Sequence, residues 1–159
     1  MAKIRTETKV VRTNSEIETE RLGMFLGHRL TGGLCVSLVG ALGSGKSVLV
    51  RGVCRGSGID EDVLSPTFIL YEEYHGRLTV IHVDLYRLEH EREIEELGVF
   101  ERFGDGSVIL VEWGDRSERI LDESDIVINI EMIGETERTI GIGYSKENAD
   151  LIEGLFEGL

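Results

Sequence analysis

The chain has 159 residues, 41% of them apolar and 30% charged, with a formal net charge of −13 and a lone proline. This length supports one compact domain over 1–159 with a core that needs no disulfide or metal staple, and the composition leaves no room for a long disordered linker. The acid excess, with Lys and Arg scattered along the chain, argues against autonomous RNA or DNA binding and against an anionic membrane surface, while a basic protein partner is compatible with it.

The opening MAKIRTETKVVRT has no apolar core of signal-peptide type, and no stretch approaches the ~20 apolar residues of a membrane span, so a cytoplasmic protein with no membrane partner is expected. A short extended piece is predicted around Lys9 to Arg12. Ser15 stands three residues before Glu18, a capping-box spacing that starts a helix running toward Leu30, where TGG ends it. LCVSLVG then reads as a buried strand, and KSVLVRGVCRGSG carries helical periodicity to a glycine stop. Cys35 and Cys54 fall in these apolar segments without CxxC or Cys/His clustering, and are expected to be buried, reduced thiols.

TFILYEEYHGRLTVIHVD holds two β-rich runs joined at His75-Gly76, which predicts an antiparallel hairpin. EREIEELGV gives a short helix, SVILVEW another continuous apolar strand, and DIVINIEM with ERTIGIGY a second hairpin around Gly134. The end, SKENADLIEGLFEGL, reads as a weak terminal helix.

Chemistry first shows in GALGSGKS (40–47), which has the spacing Gly40-x4-Gly45-Lys46-Ser47. Glycines there let backbone N–H groups wrap a phosphate chain, Lys46 reaches the β/γ-phosphates, and Ser47 offers its hydroxyl to Mg²⁺. Lying between a strand and a helix, the motif points to an α/β fold: a P-loop NTPase-like three-layer arrangement with a mostly parallel central sheet plus antiparallel strands. Such a site needs acids from the carboxyl ends of neighbouring strands to hold the metal and orient water. In TVIHVDLY a period of two puts His82, Asp84 and Tyr86 on one face, and Glu112 ends an apolar run that otherwise calls for no charge. Either acid can serve. His82 reads first as a hydrogen-bonded structural residue. In SPTF (65–68) a threonine can sense the nucleotide state, or the segment can be an ordinary turn around Pro66.

A regulatory GTPase would show Asn-Lys-x-Asp and a switch Asp-x-x-Gly, and neither is present. A small-molecule kinase would need an arginine-rich lid, and none follows Arg51 and Arg55. SEIETERLG, GALGSGKS, SPTFILYEEY, HVDLYRLE with ELGV, and VEWGDR, in this order over about 13–142, resemble the TsaE (YjeE) family of small bacterial ATPases required for making threonylcarbamoyladenosine in tRNA.

The resemblance implies ATP and Mg²⁺ as cofactors, with Gly40, Ala41, Leu42, Gly43, Ser44, Gly45, Lys46 and Ser47 wrapping the nucleotide. It assigns the metal to Ser47 and Glu112, and catalytic parts to Lys46, Asp84, Glu112 and the switch-like Thr67. Thr13 and Arg138 match regions near the nucleotide base. Most relatives carry aspartate where this chain has Ala41, so a loop carboxylate is missing. The family's partners are TsaB and TsaD, with tRNA met only indirectly through that complex, and its ATPase is weak and partner-stimulated. Two alternatives stand beside this one: a nucleotide-gated protein-binding module in which hydrolysis is incidental, and a small-molecule P-loop kinase.

Overall fold

The computed structural model describes residues 2–63 and 71–157, and the predicted SPTF segment with Thr67 lies outside them. Among the described residues, seven strands form one sheet in the order β1-β7-β6-β2-β5-β4-β3. They are β1 (Glu7–Thr13), β2 (Cys35–Val39), β3 (Tyr71–His75), β4 (Thr79–Asp84), β5 (Val108–Glu112), β6 (Ile126–Met132) and β7 (Arg138–Tyr144). The central strands β6, β2, β5 and β4 run parallel. Both hairpins, β3/β4 and β6/β7, are antiparallel as predicted, and β1 closes one edge antiparallel to β7.

The continuous apolar runs of β2 and β5 follow from burial on both faces. One face carries Val36, Leu38, Val108, Leu110, Ile126, Ile128 and Ile130 against α1 (Glu16–Arg29), α2 (Lys46–Gly56) and α5 (Ala149–Glu157). The other carries Cys35, Ile81, Val83, Ile109 and Val111 against Ile94 of α3 (Glu91–Glu96) and Ile120 of α4 (Glu118–Glu123). The fold is therefore the three-layer α/β arrangement expected. Both cysteines are buried and free, and burial pushes each thiol up to about 12.

Local signals explain most boundaries. Ser15 caps α1 by accepting from Glu18 N–H at 3.1 Å, but the Glu18 carboxylate takes the N–H of Asn14 (2.6 Å) rather than that of Ser15, so the capping box is half made and shifted by one residue. The helix α4 has no counterpart among the predicted elements. Its local signal is Ser117, whose Oγ accepts from Ile120 N–H at 3.1 Å.

The contact that seats α2 lies in neither core. Gly23 and Gly27 of α1 meet Gly52 and Gly56 of α2, and a methyl at any of the four would lie 2.1–2.4 Å from a carbonyl oxygen of the other helix. Each helix thus presents Gly-x3-Gly to its neighbour, and the two backbones touch, the geometry small residues permit wherever helices pack closely. Ion pairs flank the seam: Arg51 with Glu16 and Glu20, and Arg55 with Glu20.

A methyl at position 52 would stand 2.1 Å from the Glu20 oxygen, a backbone atom that no rotamer change can move. Gly52→Ala gains about 1 kcal/mol of helix propensity and loses more to overpacking, for a net cost of about 1–2 kcal/mol. Gly141→Ala on β7, where a methyl meets nothing within 4 Å, is the control and leaves stability nearly unchanged. Urea unfolding midpoints of the two variants measure the difference.

Candidate phosphate-binding site

The loop 40–47 leaves β2 at its carboxyl end and turns directly into α2. Ser44 N–H donates to the Ala41 carbonyl at 3.1 Å, which tightens the turn. Gly45 is the N-cap of α2 with φ 111° and ψ 14°, a left-handed conformation that a side chain at this position would strain. The first-turn N–H groups of α2 follow, without intrahelical acceptors and carrying the positive end of the helix dipole. Leu42, 70% exposed, tops the outer turn of the loop.

Lys46 is nearly buried. Its Nζ donates to the carbonyls of Gly40 (2.7 Å) and Ala41 (2.9 Å) and to Ser44 Oγ (3.4 Å). The ammonium also stands 4.2 Å from the centroid of the Trp113 ring. Desolvation lowers its pKa below the ordinary lysine value, while the charges of Glu112, Asp84 and Asp115 act in the opposite sense. The residue at position 41 serves Lys46 through its backbone oxygen, so this bond survives the absence of an aspartate side chain.

Sheet register brings the acids to the same edge. Leu38 at the end of β2 pairs with Glu112 at the end of β5, and Glu112 pairs with Asp84 at the end of β4. Ser47 Oγ donates to Glu112 Oε1 at 3.1 Å, and Glu112 Oε2 lies 2.6 Å from His82 Nε2. Asp84 accepts from Tyr86 N–H at 2.9 Å. Its pKa is raised, first by burial and then by the Glu112 charge, with the Tyr86 bond opposing.

Lys46, Ser47, Asp84 and Glu112 therefore converge as the strand ends dictate. A hydroxyl and a carboxylate set side by side next to an ammonium can hold a divalent cation that also binds phosphate oxygens. Among the described residues no group of three or more His, Cys, Asp or Glu side chains forms a protein-only cage. A magnesium ion that shares its shell with phosphates and water needs none.

Arg138 braces the loop from β7, donating from Nε to the Ser44 carbonyl at 2.7 Å and from Nη1 to the carbonyls of Gly134 (3.2 Å) and Glu137 (3.0 Å). It lines a cleft of about 190 Å³ beside the loop, together with Thr19, Gly43, Gly45, Val48 and Thr136. Thr13 is buried behind this cleft, with its Oγ1 2.7 Å from Thr19 Oγ1, and it supports the wall rather than lining it.

Several contributors are not assigned a role by the sequence. Trp113 is the one non-glycine residue with a left-handed backbone among the described residues, φ 61°. That bend follows Glu112 directly and seats the indole between Lys46 and Tyr86, whose ring centroid is 5.0 Å away. Arg116 stands over both rings at 5.3 and 5.4 Å. The letters VEW mark the place, but only the backbone turn explains the contact. Thr19 of α1, Val48 of α2 and Thr136 of the β6/β7 turn meet only in the folded chain.

The family profile described as "Threonylcarbamoyl adenosine biosynthesis protein TsaE" matches residues 13–140. The chain is 37% identical over 130 residues to the tRNA threonylcarbamoyladenosine biosynthesis protein TsaE of Treponema pallidum, covering 82% of this chain and 96% of that one. It is also 37% identical over 130 residues to the protein of the same name from Bacillus subtilis, covering 81% of each. The crystal structure of Bacillus subtilis YdiB superposes with a TM-score of 0.81 at 28% identity, over 96% of both chains. With the profile spanning most of its length and relatives of this similarity, the chain belongs to the TsaE family of threonylcarbamoyladenosine biosynthesis proteins.

Proposed function

We propose that the chain is a Mg²⁺-dependent ATPase of the threonylcarbamoyladenosine pathway, working in the cytoplasm with TsaB and TsaD and meeting tRNA only through them. The observation that carries this reading is the contact between the Ser47 hydroxyl and the Glu112 carboxylate, 3.1 Å apart, beside the loop in which Lys46 is held by two carbonyls. Those are the donors a magnesium nucleotide requires. The loop fits phosphate as well: a Cβ at position 43 would meet nothing within 4 Å, so its outer backbone is open to a ligand.

In this reading the loop N–H groups and Lys46 bind the phosphate oxygens, and a negative phosphate beside Lys46 offsets the desolvation that lowers its pKa. Ser47, through its hydroxyl, and Glu112, through its carboxylate, would hold Mg²⁺ there. Mg²⁺, when bound there, neutralises charge on the transferring phosphoryl group. Asp84, half-buried one strand away, holds the attacking water and accepts its proton, a task suited to a carboxylate whose proton affinity is raised. The cleft between Val48 and Arg138 takes the base. With a net charge of −13, the chain serves a tRNA-modifying assembly through protein contacts rather than by gripping RNA.

The test is phosphate release with Mg-ATP, alone and with the host's TsaB and TsaD, alongside pull-down of the complex. Slow turnover alone, stimulation by the partners and ATP-dependent capture are expected. Absence of capture in every nucleotide state would remove the pathway coupling. Lys46→Ala should lower phosphate release by about 10²-fold or more, because no other ammonium stands in the loop. Full activity of that variant in the assembly would overturn the site.

Asp84→Asn separates activity from stability. Because the folded chain raises the Asp84 pKa, this group's stabilising contribution is complete below the unfolded-state pKa and is lost as pH rises through the folded one. At neutral pH the buried charge is a net cost that asparagine removes while still accepting from Tyr86 N–H. The variant should melt on the order of 2 °C higher at neutral pH, a gain kept small by the site's partial exposure to solvent. That gain should shrink as pH falls toward the carboxylate range, while phosphate release is lost. Thermal melts across pH, read beside turnover, check both signs.

A further inference from the structure

We propose that His82 is a positioning residue for Glu112, fixing one carboxylate oxygen so that the other is presented beside Ser47; this rests on the magnesium-nucleotide reading above. His82 and Glu112 are 1% and 3% exposed. Along the sheet, Glu112 is opposite Asp84, whereas His82 is opposite Leu110, two residues back. Two carboxylates directly across neighbouring strands repel. Glu112 instead bonds diagonally to His82, with Nε2 and Oε2 2.6 Å apart.

The two oxygens of Glu112 are thereby divided. Oε2 is held by the ring and Oε1 accepts from Ser47 Oγ at 3.1 Å, so turning the carboxylate about its last torsion out of this plane lengthens both bonds. A bond from the ring to a carboxylate places a proton on Nε2, and Nδ1 then has no hydrogen-bond partner among the described residues. A buried nitrogen without a partner is a cost that an apolar side chain at this site would avoid. Packing therefore gives no reason for a histidine between Val80 and Asp84, whereas the bond to Glu112 does. Partners of this kind, one step removed from a metal, tune its affinity through the orientation of the ligand.

The experiment is a Mg²⁺ titration of binding to a non-hydrolysable ATP analogue, followed by calorimetry, on the wild-type chain and on His82→Leu, His82→Asn and His82→Gln. Leucine fills the site without a donor, asparagine keeps polarity but is too short to reach Glu112, and glutamine places a donor near the position of Nε2. The expected result is that half-saturating Mg²⁺ rises about tenfold in His82→Leu and His82→Asn and returns toward wild type in His82→Gln, with metal-free analogue affinity unchanged throughout. If leucine does not fold, the asparagine and glutamine pair carries the comparison.

Unchanged Mg²⁺ dependence in a folded leucine or asparagine variant overturns the inference. So does an equal loss of metal-free affinity, which would make His82 a support of the fold. A wild-type chain whose analogue binding ignores Mg²⁺ would instead sink the metal reading itself, and this inference with it.

Discussion

The backbone contact between α1 and α2 is the constraint on which the site depends. Where four glycines face one another, no side chain intervenes, and the carbonyls of Glu20, Met24, Leu49 and Val53 approach the opposite helix directly. Contacts of this kind are short-range and sensitive to register, because a shift of one residue would bring a bulky side chain into the seam. The helix whose position is fixed in this way is the one that begins with Lys46 and Ser47. Its first turn is held at one end by β2 and along one side by α1, so the loop between strand and helix has little freedom left. Thr19 of the same α1 lines the cleft beside the loop. One helix pair therefore sets both the loop 40–47 and the wall next to it.

Charge is distributed in keeping with that framework. The net value of −13 is not spread evenly over a solvated surface, since Glu112, Asp84 and Asp115 all bear on Lys46. Glu112 is buried and bonded on both oxygens, whereas Asp84 is half-buried with a raised pKa. Two acids opposite each other in the sheet thus occupy different environments, and this lets them take different parts. Some acids elsewhere are paired with arginines, as Glu73 and Asp105 are with Arg102, and such partly exposed pairs add little to stability.

Trp113 joins the two themes. Its left-handed backbone is a local cost that persists only because the surroundings hold it: Trp113 N–H donates to the Leu38 carbonyl at 2.9 Å, and the ring is held between Lys46 and Tyr86. The bend ends β5 abruptly, and the abrupt end keeps the Glu112 carboxylate at the sheet edge beside Ser47.

Sequence by itself determined most of the elements and the set of candidate site residues. Apolar runs without alternation marked the doubly buried strands β2 and β5, Gly40-x4-Gly45-Lys46-Ser47 marked the loop between strand and helix, and two acids ending apolar strands marked the partners of that loop. These are local properties, legible because strand period, turn residues and loop glycines act over a few neighbours. Tertiary structure decided which residues meet. The short helix α4 and the close approach of Gly23 and Gly27 to Gly52 and Gly56 are seen only once the chain is folded. Register places His82, a hydrogen-bonded buried residue as expected, diagonally to Glu112, and the fold places Thr13 behind the cleft against Thr19. Each of these outcomes depends on strand order and helix approach, which close distances between residues far apart in the chain; no window of local sequence contains both partners.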